Sequence, residues 1–104
     1  MRTAAKVDAN HVEIVAAIRQ AGCTVQSLAA VGKGCPDLMV GTNNITALFE
    51  VKDGEKSASR RALNEHQVAW HRAWRGGPVF VVDSVDSALQ AVTLMRKMKV
   101  EIRQ

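Results

Sequence analysis

Two short apolar runs that carry charged residues, joined by a turn, constrain this chain more than any other feature of its sequence. Cys35-Pro36-Asp37-Leu38-Met39-Val40 leads into Gly41-Thr42-Asn43-Asn44, and Ala47-Leu48-Phe49-Glu50-Val51-Lys52 follows. The runs have strand length and the residues between them are turn formers, so an antiparallel hairpin centred between Asn43 and Asn44 is predicted. That register pairs Leu38 with Phe49, Met39 with Leu48 and Val40 with Ala47, and its continuation sets Asp37 opposite Glu50.

Side chains directly opposed on an antiparallel pair lie about 5 Å apart, where like charges destabilise unless a cation intervenes. Lys52 falls on the same face as Glu50, roughly 7 Å further along, because strand side chains alternate. A divalent metal held by Asp37 and Glu50, with the Val51 carbonyl completing the shell, would leave Lys52 beside the activated water, and such a site could hydrolyse a phosphodiester. The competing reading is an exposed Glu/Lys strand face with Asp37 as an ordinary turn residue after Pro36, since Glu-x-Lys alone is a common tripeptide. Pro-Asp opening one strand and Glu-x-Lys closing the next, at a spacing that permits cross-strand pairing, favours the site.

With these residues in place the chain resembles the PD-(D/E)XK nuclease superfamily, and within it the virus-type replication-repair nuclease (VRR-NUC) domain. The resemblance covers nearly the whole chain. It is carried by an N-terminal helix with Glu13, by Gly32-Lys33-Gly34-Cys35-Pro36-Asp37, by Glu50-Val51-Lys52, by Leu63 to Gln67 with Trp70 and Trp74, and by Gly76-Gly77-Pro78 before Val79-Phe80-Val81-Val82. It implies a restriction-endonuclease-like core and metal-dependent cleavage of branched DNA; the hard carboxylate and carbonyl oxygens suit magnesium, with manganese a substitute. Small stand-alone members resolve four-way junctions as homodimers. The resemblance also implies that Glu13 turns toward the metal and that the Gln67 amide positions water or phosphate as part of the catalytic set Asp37, Glu50, Lys52 and Gln67.

The remaining sequence is consistent with that reading without requiring it. A chain of 104 residues makes one domain with a single core. No apolar run approaches the roughly 20 residues that span a bilayer, and Met1 to Lys6 lacks the apolar centre of a secretory signal, so no membrane is expected and the cytosol is the expected compartment. Cys23 and Cys35 are too few and too distant for zinc and read as packing thiols, and none of His11, His66 and His71 is assigned to a metal. The formal charge of +4 suits a polyanionic partner. Lys33, Lys56, Arg60 and Arg61 flank the acidic pair as candidate DNA contacts, against the plainer alternative of a solvated basic loop over 53–61.

Along the chain, Asp8 or Asn10 is placed to cap a helix reaching about Gln20, with Ile14, Val15 and Ile18 as its apolar stripe, Gly22 as its stop, and a solvated helix position as the plainer role for Glu13. Thr24 to Ala30 reads as the first strand, and the glycines around Lys33 allow close backbone approach without completing a nucleotide-binding loop. Asn64 and Gln67 form a capping box, a role that competes with a catalytic one for Gln67. Trp70 and Trp74 are expected in the core; base stacking is the alternative, which would require them exposed beside basic residues. Gly76-Gly77 should end this helix, and Pro78 to Val82 should form a strand covered on both faces. Ser84 caps a final helix whose stripe is Val85, Ala88, Leu89, Val92 and Met95, while Ala91, Leu94 and Met98 offer a second face for a twin subunit.

The sum is an α/β domain with a small mixed sheet flanked by helices, acting as a magnesium-dependent endonuclease on branched DNA. The alternative functions are a DNA-binding module without catalysis and a subunit that cuts only with a partner.

Overall fold

A computed structural model describes residues 10–54 and 62–98. The elements are α1 (His11–Gln20), β1 (Thr24–Ser27), β2 (Leu38–Thr42), β3 (Ile45–Val51), α2 (Glu65–Ala73), β4 (Val79–Val82) and α3 (Val85–Lys97). The four strands form one sheet in the order β1-β2-β3-β4. The first three are antiparallel neighbours, and β4 joins β3 in parallel through the α2 crossover, as a parallel pair requires. This is the expected α/β architecture with a small mixed sheet and helices against it.

The hairpin forms in the anticipated register, Leu38 with Phe49, Met39 with Leu48 and Val40 with Ala47. Asn43 and Asn44 both adopt positive φ, 54° and 63°, the backbone that a two-residue turn matched to strand twist demands and that asparagine tolerates best among side-chain-bearing residues. Leu38, Val40, Ala47, Phe49 and Val51 are buried in one core with Ile14 and Ile18 of α1 and Ala88, Val92 and Met95 of α3. Phe49 meets Phe80 of the adjacent β4 edge to face, with ring centroids 5.7 Å apart. Alternation therefore turns Leu48, Glu50 and Lys52 to the opposite side of the sheet, where α2 lies.

The helix ends show which local signals operated. After α1 the Cys23 N–H donates to the Ile18 carbonyl and the Gly22 N–H to the Arg19 carbonyl, the paired bonds of a Schellman stop with Gly22 at φ 98°. Ser84 caps α3, accepting from the Ser87 N–H at 3.0 Å, while Ser87 Oγ accepts from the Ser84 N–H. Asn10 precedes α1 without capping it by its side chain. Its Nδ2 donates instead to the carbonyls of Lys52 at 3.0 Å and Asp83 at 2.8 Å, tying α1 to the ends of β3 and β4. Asp8 lies outside the described residues.

Four expectations are corrected. Strand β1 stops at Ser27 rather than Ala30, because the Leu28 N–H closes the ladder on the Asp37 carbonyl and the chain then turns with Val31 N–H on Leu28 O. Helix α2 ends at Ala73, before the glycines, with Trp74 already extended at ψ 130°. The β4 strand is an edge, and Val81 is 50% exposed rather than covered on both faces. On α3, Ala91 is buried among the core residues and Leu94, at 52% exposure, is the large apolar side chain it leaves in solvent. Of that second face Ala91 is thus spent on this chain's own core, while Leu94 is exposed and Met98 half-buried. Among the described residues no helix is long and apolar enough to cross a membrane.

Candidate active site

Asp37 directly precedes β2, and its side chain crosses to the neighbouring strand: Oδ2 accepts from the Val51 N–H at 2.8 Å. That peptide links Glu50 to Val51, so the Asp37 carboxylate is anchored at the Glu50 position, as the extended register implies. Glu50 is 1% exposed on the face opposite Phe49. Its Oε1 lies 3.5 Å from His71 Nε2 of α2, with both side chains largely withdrawn from solvent. The Cys35 thiol is pushed above its ordinary pKa, first by burial, then by the Glu50 charge and then by the Asp37 charge. The thiol therefore stays protonated at neutral pH, and Cys35 shares the lining of one hollow with Asp37.

Lys52 completes the strand side of the site. Its Nζ donates to Gln67 Oε1 at 2.8 Å. The same oxygen accepts from the Asn64 N–H at 3.0 Å, while the Gln67 N–H donates to Asn64 Oδ1 at 2.9 Å. The capping box and the reach into the site, which compete on sequence grounds, are thus served together by one amide. The Lys52 backbone is fixed on both sides, its N–H donating to the Val82 carbonyl at 2.8 Å and its carbonyl accepting from Asn10.

The approach loop is built against α2. Gly34 has φ 85°, and a methyl at this position would collide with the His66 carbonyl and crowd the Gln67 amide. Lys33 is exposed on this loop and lines a hollow of about 470 Å³ together with Cys35, Asp37, Asn64, His66 and Gln67. Glu13 is elsewhere. It is exposed on α1 and lines a different hollow with Asp53, Asp83 and Asp86, so no described contact brings it to Asp37 or Glu50. Lys56, Arg60 and Arg61 lie outside the described residues.

Helix spacing sets His71, four residues after Gln67, on a face related to that of Gln67, but sequence reasoning gave it no role in the site, and gave Cys35 none beyond packing. Burial, and after it the Lys52 charge, lowers the His71 pKa, so the imidazole is neutral at neutral pH. The tryptophans are also misplaced by the core expectation: Trp74 is 40% exposed, and neither ring belongs to the core cluster.

Among the described residues no group of three or more His, Cys, Asp or Glu side chains comes together to hold a metal. Two carboxylates, Asp37 anchored by the Val51 N–H and Glu50 buried at the opposing strand position, still fit magnesium, which is commonly held by one or two carboxylates with water and substrate phosphates filling the other positions. The donors are hard carboxylate oxygens, the kind magnesium takes, carried at neighbouring positions just before β2 and on β3. Compared with known protein families, curated proteins and solved structures, the chain matches none. The likeness to the virus-type replication-repair nucleases accordingly rests on the motif residues.

Proposed function

We propose that this chain is a metal-dependent endonuclease that hydrolyses phosphodiester bonds in branched DNA, working as a homodimer on four-way junctions in the cytosol of a bacterial or phage-infected cell. The observation that carries the reading is the joint anchoring of Asp37 beside Glu50 and of Lys52 on Gln67. An exposed, structural Glu/Lys strand face would have no need of a buried glutamate or of a lysine clamped from another element.

Asp37 and Glu50 are the residues that would hold magnesium or manganese, and the ion, when bound, polarises the scissile phosphate and acidifies a water. The chain's own groups do the rest. The Val51 N–H fixes the Asp37 carboxylate, so little reorganisation is needed when ligands arrive. Gln67 Oε1 holds the Lys52 ammonium on the face that Glu50 shares, where it orients the attacking water and offsets charge developing on the phosphate. Lys33, on the rim of the hollow that contains Asp37, supplies positive charge where the DNA backbone enters.

Purified protein incubated with labelled four-way junction, flap, single-stranded and linear duplex DNA, with and without magnesium, tests the reading. Cleavage that needs magnesium and disappears in Glu50→Ala and Lys52→Ala is the expected result. Unchanged cutting by either variant removes this site from consideration, and salt-sensitive binding without cutting turns the assignment to a non-catalytic DNA-binding module. Light scattering should give twice the 11.3 kDa chain mass, and a monomer removes the homodimer.

A further inference from the structure

We infer that the Trp70–Trp74 pair is a stacking platform for an unpaired base of the DNA whose backbone enters the neighbouring site; the inference rests on the nuclease reading and names the feature of the substrate it recognises. The two indoles are stacked, with ring centroids 5.1 Å apart and planes 18° from parallel. Trp74 is 40% exposed, yet it is held in place. Its indole N–H donates to the Gly77 carbonyl at 2.8 Å, and Gly76 lies so close to the ring that any β-carbon there would strike it. An exposed aromatic fixed by a hydrogen bond and by a side-chain-free neighbour gains little from the core, whereas a rigid ring loses little entropy when a ligand stacks on it.

The surroundings select a nucleic acid over an apolar partner. Arg72 and Arg75 lie on either side of Trp74 in the chain, and both are exposed. The Arg75 guanidinium donates to the carbonyls of Arg72 at 2.7 Å and Trp74 at 3.3 Å, which holds its charge at the end of α2. Aromatic rings beside fixed cations are the combination that binds single-stranded nucleic acid, the rings taking bases and the cations taking phosphates. The location agrees. Gln67 touches Lys52 and His71 touches Glu50, and Trp74 follows directly as the residue that closes the same helix. The platform therefore sits at the end of the helix that meets the site, where a branch point would leave bases unstacked and available.

The test is fluorescence in EDTA, so that binding is read without cleavage. In Trp70→Phe the emission comes from Trp74 alone, because the chain has two tryptophans. Titration with an oligothymidine should quench this emission saturably, and an abasic strand of equal length should not. Unaltered protein, in which both rings emit, should show the same base requirement whether or not the variant folds. Trp74→Ala should weaken oligothymidine binding about tenfold. Equal quenching by both strands, or quenching by neither, overturns the platform. So does a self-association that Trp74→Ala abolishes while base and abasic strands bind alike, which would assign the ring to a second copy. Magnesium-dependent junction cleavage measured on the same protein separates the two ideas: cutting without base-dependent quenching removes the platform alone, and base-dependent quenching without cutting removes the nuclease alone.

Discussion

Replacing Gly34 by alanine, with Gly32→Ala as its control, isolates the close approach between the site's entry loop and α2. Both glycines have positive φ, 85° at Gly34 and 69° at Gly32. Placing a side chain in that region costs about 1–2 kcal/mol, offset by about 0.4–1 kcal/mol from the reduced freedom of the unfolded chain. Gly32→Ala should therefore cost about 1 kcal/mol, since among the described residues nothing lies within 4 Å of its added methyl. At Gly34 the methyl meets the His66 carbonyl and, at 2.9 Å, the Gln67 amide nitrogen, which are backbone atoms of a helix and do not move singly. Overpacking of that kind adds about 1–3 kcal/mol, so the total is about 3 kcal/mol. With a urea slope of about 1.5 kcal/mol per molar, the midpoints should fall by about 0.7 M for Gly32→Ala and about 2 M for Gly34→Ala. Urea unfolding followed by circular dichroism measures both. Equal shifts, or a smaller one for Gly34→Ala, would refute the reasoning that the loop is packed against α2. Because Gln67 sits at this contact, Gly34→Ala should also lower cleavage more than Gly32→Ala does.

Gln67→Ala removes the acceptor of both Asn64 N–H and Lys52 Nζ, and should cost about 1 kcal/mol of stability as a lost cap together with most of the cleavage rate; Gln67→Glu, which keeps an acceptor oxygen, should recover the stability, and failure to do so contradicts the shared role. Phe49→Ala empties a fully buried position against Phe80 and should cost about 3–5 kcal/mol by urea unfolding, a loss under 1 kcal/mol being inconsistent with the core described. The His71 imidazole titrates below its ordinary value of 6.5 in the folded chain, so as pH falls from that value the unfolded chain takes up a proton that the folded chain does not. Its contribution to stability is thus present above that value, declines as pH falls through the window below it, and levels off once the folded chain is protonated as well. Unfolding at about pH 7.5 and about pH 5.5 should show a larger loss for the unaltered protein than for His71→Asn, and identical losses would show that His71 is not buried as described.

The parts of the fold that were legible in the sequence are those where local chemistry and the sheet pattern agree. Asn43-Asn44 suits a turn with two left-handed residues, and its position fixes every pair from Leu38–Phe49 to Val40–Ala47. Once that register is set, Asp37 has to approach Glu50. The capping boxes at Asn64 and Ser84 and the stop at Gly22 were equally local. What could not be read depends on contacts between distant elements. Asn10 looks like a helix cap, but two carbonyls at the ends of β3 and β4 claim its amide. Trp70 and Trp74 have the spacing and apolarity of core residues, yet α2 fully buries none of its residues and Trp74, just past its end, is 40% exposed. Val81 belongs to an apolar run whose edge position was not encoded in its own neighbours. His71 was one of three histidines without a motif, and its meeting with Glu50 requires the crossover that lays α2 over β3.

The central claim is that Asp37 and Glu50 together supply the field and the oxygens for one cation. Manganese titration followed by electron paramagnetic resonance tests it most directly, using unaltered protein, Asp37→Asn and Glu50→Gln. The account predicts that unaltered protein sequesters manganese and that each neutralised variant loses at least about tenfold in affinity. Equal manganese binding by all three proteins would contradict it.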